Sequence, residues 1–216
     1  PGITLSPSNR DNTPGLGITV GYDTRDSWTN PHVGFWNDVE LVKYGGVLGS
    51  RADYWTLNMD LRRYQPLHSK HRMALFSLTT LQSGAVGADV PVYRDFHLGG
   101  SNTIRGWSLG SRHGKNQSIS TAEYRYEVIP PRSFKVKGIG LYAGLQLAAF
   151  GDAGTAWDAG SQFTRNFIGS GGMGLRILLP FIDMIRVDAA LGQRGEGWKF
   201  HIGLRDKPIN QRRRVR

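Results

Sequence analysis

The sequence predicts an all-β fold, an antiparallel transmembrane β-barrel present in part as about nine strands. Three observations predict it. Apolar and polar residues alternate with period two in segment after segment, and no helical stripe persists over three turns. In these segments one face carries Leu, Val, Trp and Tyr while the other carries charges. Turn residues such as Asn30-Pro31, Gly45-Gly46, Pro130-Pro131 and Pro180 separate them. The alternation alone leaves a soluble β-sandwich open, because a sandwich also has short strands at regular spacing. A polar interior under an apolar outer band favours the barrel.

The expected strands are 16–23, 33–43, 52–64, 70–81, 116–128, 139–151, 166–179, 184–192 and 197–206. The first two flank the Asn30-Pro31 turn. In 52–64, Trp55, Leu57, Met59 and Leu61 oppose Tyr54, Thr56, Asn58, Asp60 and Arg62. The next, 70–81, follows a turn at 65–69. In 116–128, Tyr124, Tyr126 and Val128 share a face opposite Glu123, Arg125 and Glu127. In 139–151, Leu141, Leu145 and Leu147 oppose Tyr142, Gln146 and Phe150, and Asp152 keeps the parity of the second set. The segment 166–179 is glycine-rich, which thins one face or permits strong curvature. In 184–192, Ile185, Val187, Ala189 and Leu191 alternate with Met184, Arg186, Asp188 and Ala190. In 197–206, Trp198, Phe200, Ile202 and Leu204 alternate with Lys199, His201, Gly203 and Arg205.

The composition is compatible with this fold. Mean hydropathy is -0.37 over 216 residues, and no apolar run reaches the ~18 residues of a membrane-spanning helix. A barrel alternates lipid-facing and lumen-facing residues, so its mean hydropathy stays low. Six Trp, eight Tyr and nine Phe fit the aromatic girdles of such a barrel better than a base-stacking surface. The absence of cysteine removes disulfides, thiolate metal sites and cysteine catalysis. The net charge of +10 is partly local, because Arg212, Arg213, Arg214 and Arg216 crowd the basic tail 207–216. That tail reads as a solvated end, and no nucleic-acid partner is expected.

Outer-membrane barrels place short turns on the periplasmic side and long loops outside. With 82–115 as the long extracellular loop, 24–32, 65–69, 129–138 and 180–183 fall inside, and the barrel portion 1–206 ends inside. The first strand then begins outside and the count is odd. Earlier strands are therefore expected upstream, about seven of them if the whole is a sixteen-strand barrel.

The most informative stretch is Arg94-Asp95-Phe96-His97-Leu98-Gly99-Gly100-Ser101-Asn102-Thr103-Ile104-Arg105-Gly106-Trp107. It resembles the sixth-loop signature of the BamA/TamA-type outer-membrane assembly and translocation superfamily, in which Leu-Gly-Gly precedes a hydrophobic-Arg-Gly-aromatic tetrapeptide. Three further blocks follow the family order around it. They are Gly21-Tyr22-Asp23-Thr24-Arg25-Asp26 with Pro31 and Gly34, Phe150 to Trp157, and Gly172-Met173-Gly174-Leu175-Arg176 with Arg186-Val187-Asp188. A loop arginine taken out of bulk water requires carboxylates, best in bidentate geometry. The resemblance implies that Arg105 meets acidic residues on the strands that follow, and by position these are Glu123 and Asp152. Gly99, Gly100 and Gly106 let the loop bend or pack close to the wall. Ile104, Arg105, Gly106, Trp107, Glu123 and Asp152 thus form an expected structural lock, with no chemistry.

Other motifs carry less. Gly169 to Gly174 matches G-x-G-x-x-G, but a strand-like segment and Pro180 follow where a dinucleotide site needs a helix. Gly106-Trp107-Ser108-Leu109-Gly110 matches G-x-S-x-G without the strand before and helix after that a nucleophile elbow requires. The six histidines are dispersed, so no metal site is expected. Asp23 with Asp26, and Asp152 with Asp158, lie near turns, where aspartates commonly satisfy backbone groups.

The chain is therefore not expected to be an enzyme or to hold a cofactor. The resemblance implies outer-membrane protein insertion or polypeptide translocation without nucleotide hydrolysis. Its expected partners are outer-membrane lipid, unfolded or partner polypeptides, and periplasmic accessory proteins. It also implies that the first and last strands part to template an incoming strand, as an open edge can. Gly197 and Gly203 would weaken or bend the last strand. Family members commonly end on an aromatic residue; this sequence continues to an arginine-rich end, so that signal is either missing or moved inward to Trp198, Phe200 and Ile202. The alternative is a passive pore or passenger anchor, which lumenal Arg62, Arg125, Arg176, Arg186 and Arg205 would bias towards anions.

Overall fold

The computed structural model describes residues 4–27, 30–136, 139–158, 162–179, 184–193 and 196–204. Its strands are β1 (Gly15–Asp23), β2 (Gly34–Gly46), β3 (Ser50–His68), β4 (His71–Gln82), β5 (Phe96–Leu98), β6 (Arg112–Gly114), β7 (Asn116–Val136), β8 (Ile139–Trp157), β9 (Ile168–Leu178), β10 (Met184–Gly192) and β11 (Trp198–Leu204). Nine of them form one antiparallel sheet in the order β1-β2-β3-β4-β7-β8-β9-β10-β11. The short pair β5-β6 is a separate hairpin inside the loop that joins β4 to β7. Every neighbour in the large sheet is also next in sequence once that loop is set aside, so the chain simply runs up and down a wall.

Burial along these strands is inverted relative to a water-soluble domain. The buried set includes Asp60, Arg62, Arg72, Glu123, Arg125, Glu127, Asp152, Arg176, Arg186 and Asp188. The exposed set includes Leu61, Leu75, Leu147, Met173, Leu175, Phe200 and Ile202. The alternation is strict in β10, where Arg186 and Asp188 face inward while Leu191 faces out. A β-sandwich cannot use this arrangement, because its charges would lie in the dry interior. A barrel in lipid can, since its outer face meets hydrocarbon and its inner face is polar.

The apolar core lies between the loop and the inner wall. Leu98, Ile104 and Trp107 of the loop pack with Tyr64, Phe76, Leu78, Ile119, Ala156 and Ile168 from five strands. A second cluster joins Ala52 and Tyr54 of β3 to Val90, with Tyr44 stacked on Tyr54.

Two expected boundaries need correction. Pro130-Pro131 does not end its strand at 128: β7 continues to Val136, and β8 continues past 151 to Trp157. The prolines sit where the β7-β8 register slips, between Glu127 and Ile129 and between Ile129 and Arg132. The described pairing with β4 stops at Tyr126, so no β4 bond is missed by their lack of an N–H. Likewise Pro66 does not close a turn at 65–69. It pairs with Arg72, and β3 reaches His68 through a second slip. The basic tail 207–216 and Arg205 lie outside the described residues.

At the rim shared by the ends of β1 and β3, residues after Asp23 fold against the wall. Asp26 accepts the backbone N–H groups of His32 and Val33, and Gln146 Nε2 donates to Asn30 Oδ1 across the sheet. His32 lies 3.2 Å from Asp26 and 3.8 Å from Glu127, which also pairs with Arg72. Burial, reinforced by the Arg72 charge, holds the His32 imidazole below its ordinary value of 6.5, against the opposing pull of Asp26. An undocked turn would bind the proton with the ordinary value, so acid favours undocking. Docking is complete above 6.5 and weakens as pH falls through and below it. Hydrogen exchange at Asn30, His32 and Val33, corrected for intrinsic rates, should rise between about pH 7.5 and about pH 5.5 and stay level in His32→Gln.

Candidate functional site: the loop arginine and its carboxylates

Residues 99–107 form a compact turn that presents Arg105 to the wall. Gly99 N–H donates to Thr103 Oγ1, the same hydroxyl donates to Gly99 O, and Gly100 N–H donates to Trp107 O. A side chain at Gly99 would lie 1.9 Å from Ser108 O, so the closure requires glycine there; Gly100 follows at a φ of +87°. Ile104 on one side enters the apolar core. Trp107 on the other does the same while its Nε1 donates to Gly169 O at 2.9 Å.

Arg105, 0% exposed, reaches three strands. Nε and Nη2 donate to the two oxygens of Asp152 on β8 at 2.8 and 2.9 Å, and the Arg105 backbone N–H adds a third bond to the same carboxylate. Nη1 lies 3.2 Å from Glu123 of β7 and 3.1 Å from Asp188 of β10. The guanidinium sits over the Phe150 ring. Burial alone would disfavour the charged form, but Asp152, Glu123 and Asp188 outweigh it and raise the Arg105 pKa above its ordinary value. The planar fork explains why arginine and not lysine is suited to this place.

The network extends beyond the loop. Arg176 of β9 grips both oxygens of Glu123, at 3.0 and 2.6 Å, and Asp188 at 2.6 Å. Arg125 also reaches Glu123, at 2.8 Å, and Thr121 donates to Asp152 at 2.7 Å. Missing side chains make the room. A Cβ on Gly174 would fall 2.2 Å from Asp188 Oδ1, and one on Gly172 would fall 2.6 Å from the Phe150 ring. The glycines of β9 thus thin the lumenal face at the two places where the network needs space.

The structure brings Ile104, Arg105, Gly106, Trp107, Glu123 and Asp152 together. It also adds members that the sequence argument did not assign: Asp188, Arg176, Phe150 and Thr121. A signal for Asp188 was present, since Arg186 and Asp188 share the charged face of β10. Parity alone does not show which lumenal carboxylate a loop arginine reaches, since β10 is three strands beyond β7 in the chain. Trp198, Phe200 and Ile202 are elsewhere, on the outward face of β11 and 60 to 79% exposed. Four of the arginines expected to bias a pore towards anions have carboxylate neighbours: Arg62 with Asp60, Arg125 and Arg176 with Glu123, and Arg186 with Asp188.

The two short motifs resolve into local structure. Gly169 to Gly174 lies within β9, and the next described element is the strand β10. Ser108 O accepts from Ser111 in a turn, Asp152 is engaged by Arg105, and His201 Nε2 accepts from Gly106 N–H, so no hydrolytic triad forms. Among the described residues no group of three or more His, Cys, Asp or Glu side chains could hold a metal ion. Asp26 and Asp158 accept backbone N–H groups, and Asp152 accepts both the backbone N–H and the guanidinium of Arg105.

The family description "Omp85 superfamily domain" matches residues 4–205, most of the chain. The chain belongs to the Omp85 superfamily. Among solved structures it is similar to BamA from Haemophilus ducreyi lacking POTRA domains 1-3, with a TM-score of 0.67 and 18% identity. That match covers 88% of this chain and 41% of the other, so the Omp85 chain described here spans less than half of its relative's length. At this identity the likeness speaks for the fold, an antiparallel transmembrane β-barrel wall. Membership of the Omp85 superfamily places the protein in the bacterial outer membrane.

Proposed function

We propose that this wall belongs to a barrel that inserts outer-membrane proteins or translocates polypeptides, without nucleotide hydrolysis. One observation carries the reading: a long loop is fixed inside the lumen by one arginine that spans β7, β8 and β10. A passive channel has no need to fill its own lumen with a buried ion-pair network, and desolvating those charges is costly. In this reading Arg105 is a structural lock that holds the extracellular loop and the barrel wall in one register. The edge strand β11, apolar towards lipid, is where an incoming strand is templated. The partners are outer-membrane lipid, unfolded polypeptides, and periplasmic accessory proteins that deliver them.

The test uses the full-length protein in liposomes. A urea-denatured outer-membrane barrel is added, and its folding is followed by heat-modifiable gel mobility. Folding faster than in empty liposomes, without added nucleotide, is the expected result. A steady anion conductance with no acceleration of folding or transport would overturn the proposal and favour the pore.

A further inference from the structure

The loop also touches β11, the last strand among the described residues. Gly106 N–H donates to His201 Nε2 at 3.2 Å, joining the residue beside the buried arginine to the middle of β11. Among the described residues this is the one side-chain hydrogen bond that β11 makes outside its own hairpin. Among the described residues, β11 has little else to hold it beyond its ladder to β10. It is laddered to β10 over seven residues, from Leu191↔Trp198 to Ile185↔Leu204, and its side chains are exposed or half-exposed throughout.

His201 is placed to sense the lock. It is the direct cross-strand neighbour of Asp188, the β10 carboxylate that takes Arg105 Nη1. Two positions further along β11, Gly203 lies against the Arg186 guanidinium, where a Cβ would be 2.7 Å from Nη2. The loop backbone is pressed equally close to β10, since a Cβ on Gly106 would lie 2.7 Å from Gly192 N. The Arg105-Gly106 peptide therefore cannot shift without disturbing the Asp188 contact and the His201 bond together. For Nε2 to accept, the imidazole proton must reside on Nδ1.

We infer that His201 is a positioning residue that couples the loop to β11, so that β11 keeps its place on β10 while the loop is docked and is loosened when it withdraws. This deepens the proposed function, on which it rests for the meaning of a movable β11. The coupling itself is measurable without any substrate.

The test uses the full-length protein in lipid nanodiscs with spin labels at Leu109 on the loop and Phe200 on β11, both exposed. Wild type and His201→Gln, which keeps an acceptor at similar reach, should give the same single distance. His201→Leu, which removes the acceptor, should add a second, longer distance. A His201→Leu distribution equal to wild type, or a His201→Gln distribution as broad as that of His201→Leu, would overturn the inference. If His201→Leu is not recovered folded, ¹⁵N spectra of histidine-labelled wild type decide: a proton on Nδ1 is expected, and a proton on Nε2 refutes the bond. Distances that respond to His201 in a protein without insertion activity would remove the proposed function and leave the coupling intact.

Discussion

Arg105→Glu should prevent the loop from docking and abolish the heat-modifiable gel shift of the folded barrel. The substitution puts a fourth carboxylate among Asp152, Glu123 and Asp188 and removes the cation that touches all three. Breaking a buried ion pair costs about 3–5 kcal/mol, and reversing the charge adds repulsion to the lost pairing. Arg105→Lys should recover only part of the loss, because an ammonium cannot donate along the two parallel directions that Asp152 accepts. The second-site reversals differ in a useful way. Asp152→Arg in the Arg105→Glu background rebuilds a facing pair, at the cost of the acceptor for the Thr121 hydroxyl and for the backbone N–H of residue 105. Glu123→Arg should rescue less, since Glu123 also neutralises Arg125 and Arg176. Wild-type mobility in Arg105→Glu would show that the loop is not held by this residue.

Gly106→Ala should match that failure with every charge intact. At φ +81° an L-residue is strained by about 1–2 kcal/mol. The larger obstacle is contact, because the new Cβ would lie 2.7 Å from Gly192 N and 2.8 Å from Leu191 C. These are backbone atoms of a strand laddered on both sides, to β9 and to β11, so they cannot give way cheaply. Gly100→Ala is the control. Its φ is similar, at +87°, but its nearest neighbour would be the Leu109 side chain at 3.5 Å, so strain is its main cost. Limited proteolysis of the folded full-length protein separates the two. Loop 83–115 should be cut rapidly in Gly106→Ala and slowly in Gly100→Ala, and equal rates would refute the close-packing argument.

Much of this architecture was legible from alternation alone. β10 is the clearest case: its expected limits, 184–192, are those observed, because strict period two leaves one way to divide Arg186 and Asp188 from Val187 and Leu191. The ends of β3 and β7 were not legible, because proline is a turn signal wherever bulges cannot be foreseen, and register slips leave no local mark. Proximity of Glu123 and Asp152 to Arg105 was legible from parity together with family order. The charged face of β10 marked Asp188 as lumenal, but its contact with Arg105, 83 positions away, left no mark in the sequence. The role of Phe150 was hidden for another reason. Its ring needs the absent side chain of Gly172, and a missing atom on the neighbouring strand gives no local signal.

All three carboxylates that receive Arg105 lie after it in the chain, at 18, 47 and 83 residues' distance. During synthesis or threading the arginine therefore emerges before any of its acceptors, and it is fully satisfied only once β10 has joined the sheet. Contacts of such long sequence separation form late, after the local hairpins have paid the entropy of bringing strands together. The ion-pair cluster is thus a record of completed assembly: a barrel arrested before β10 would retain an incompletely paired cation in its interior. Biogenesis and stability are then linked through one side chain, since the event that neutralises it also marks the wall as formed through β10.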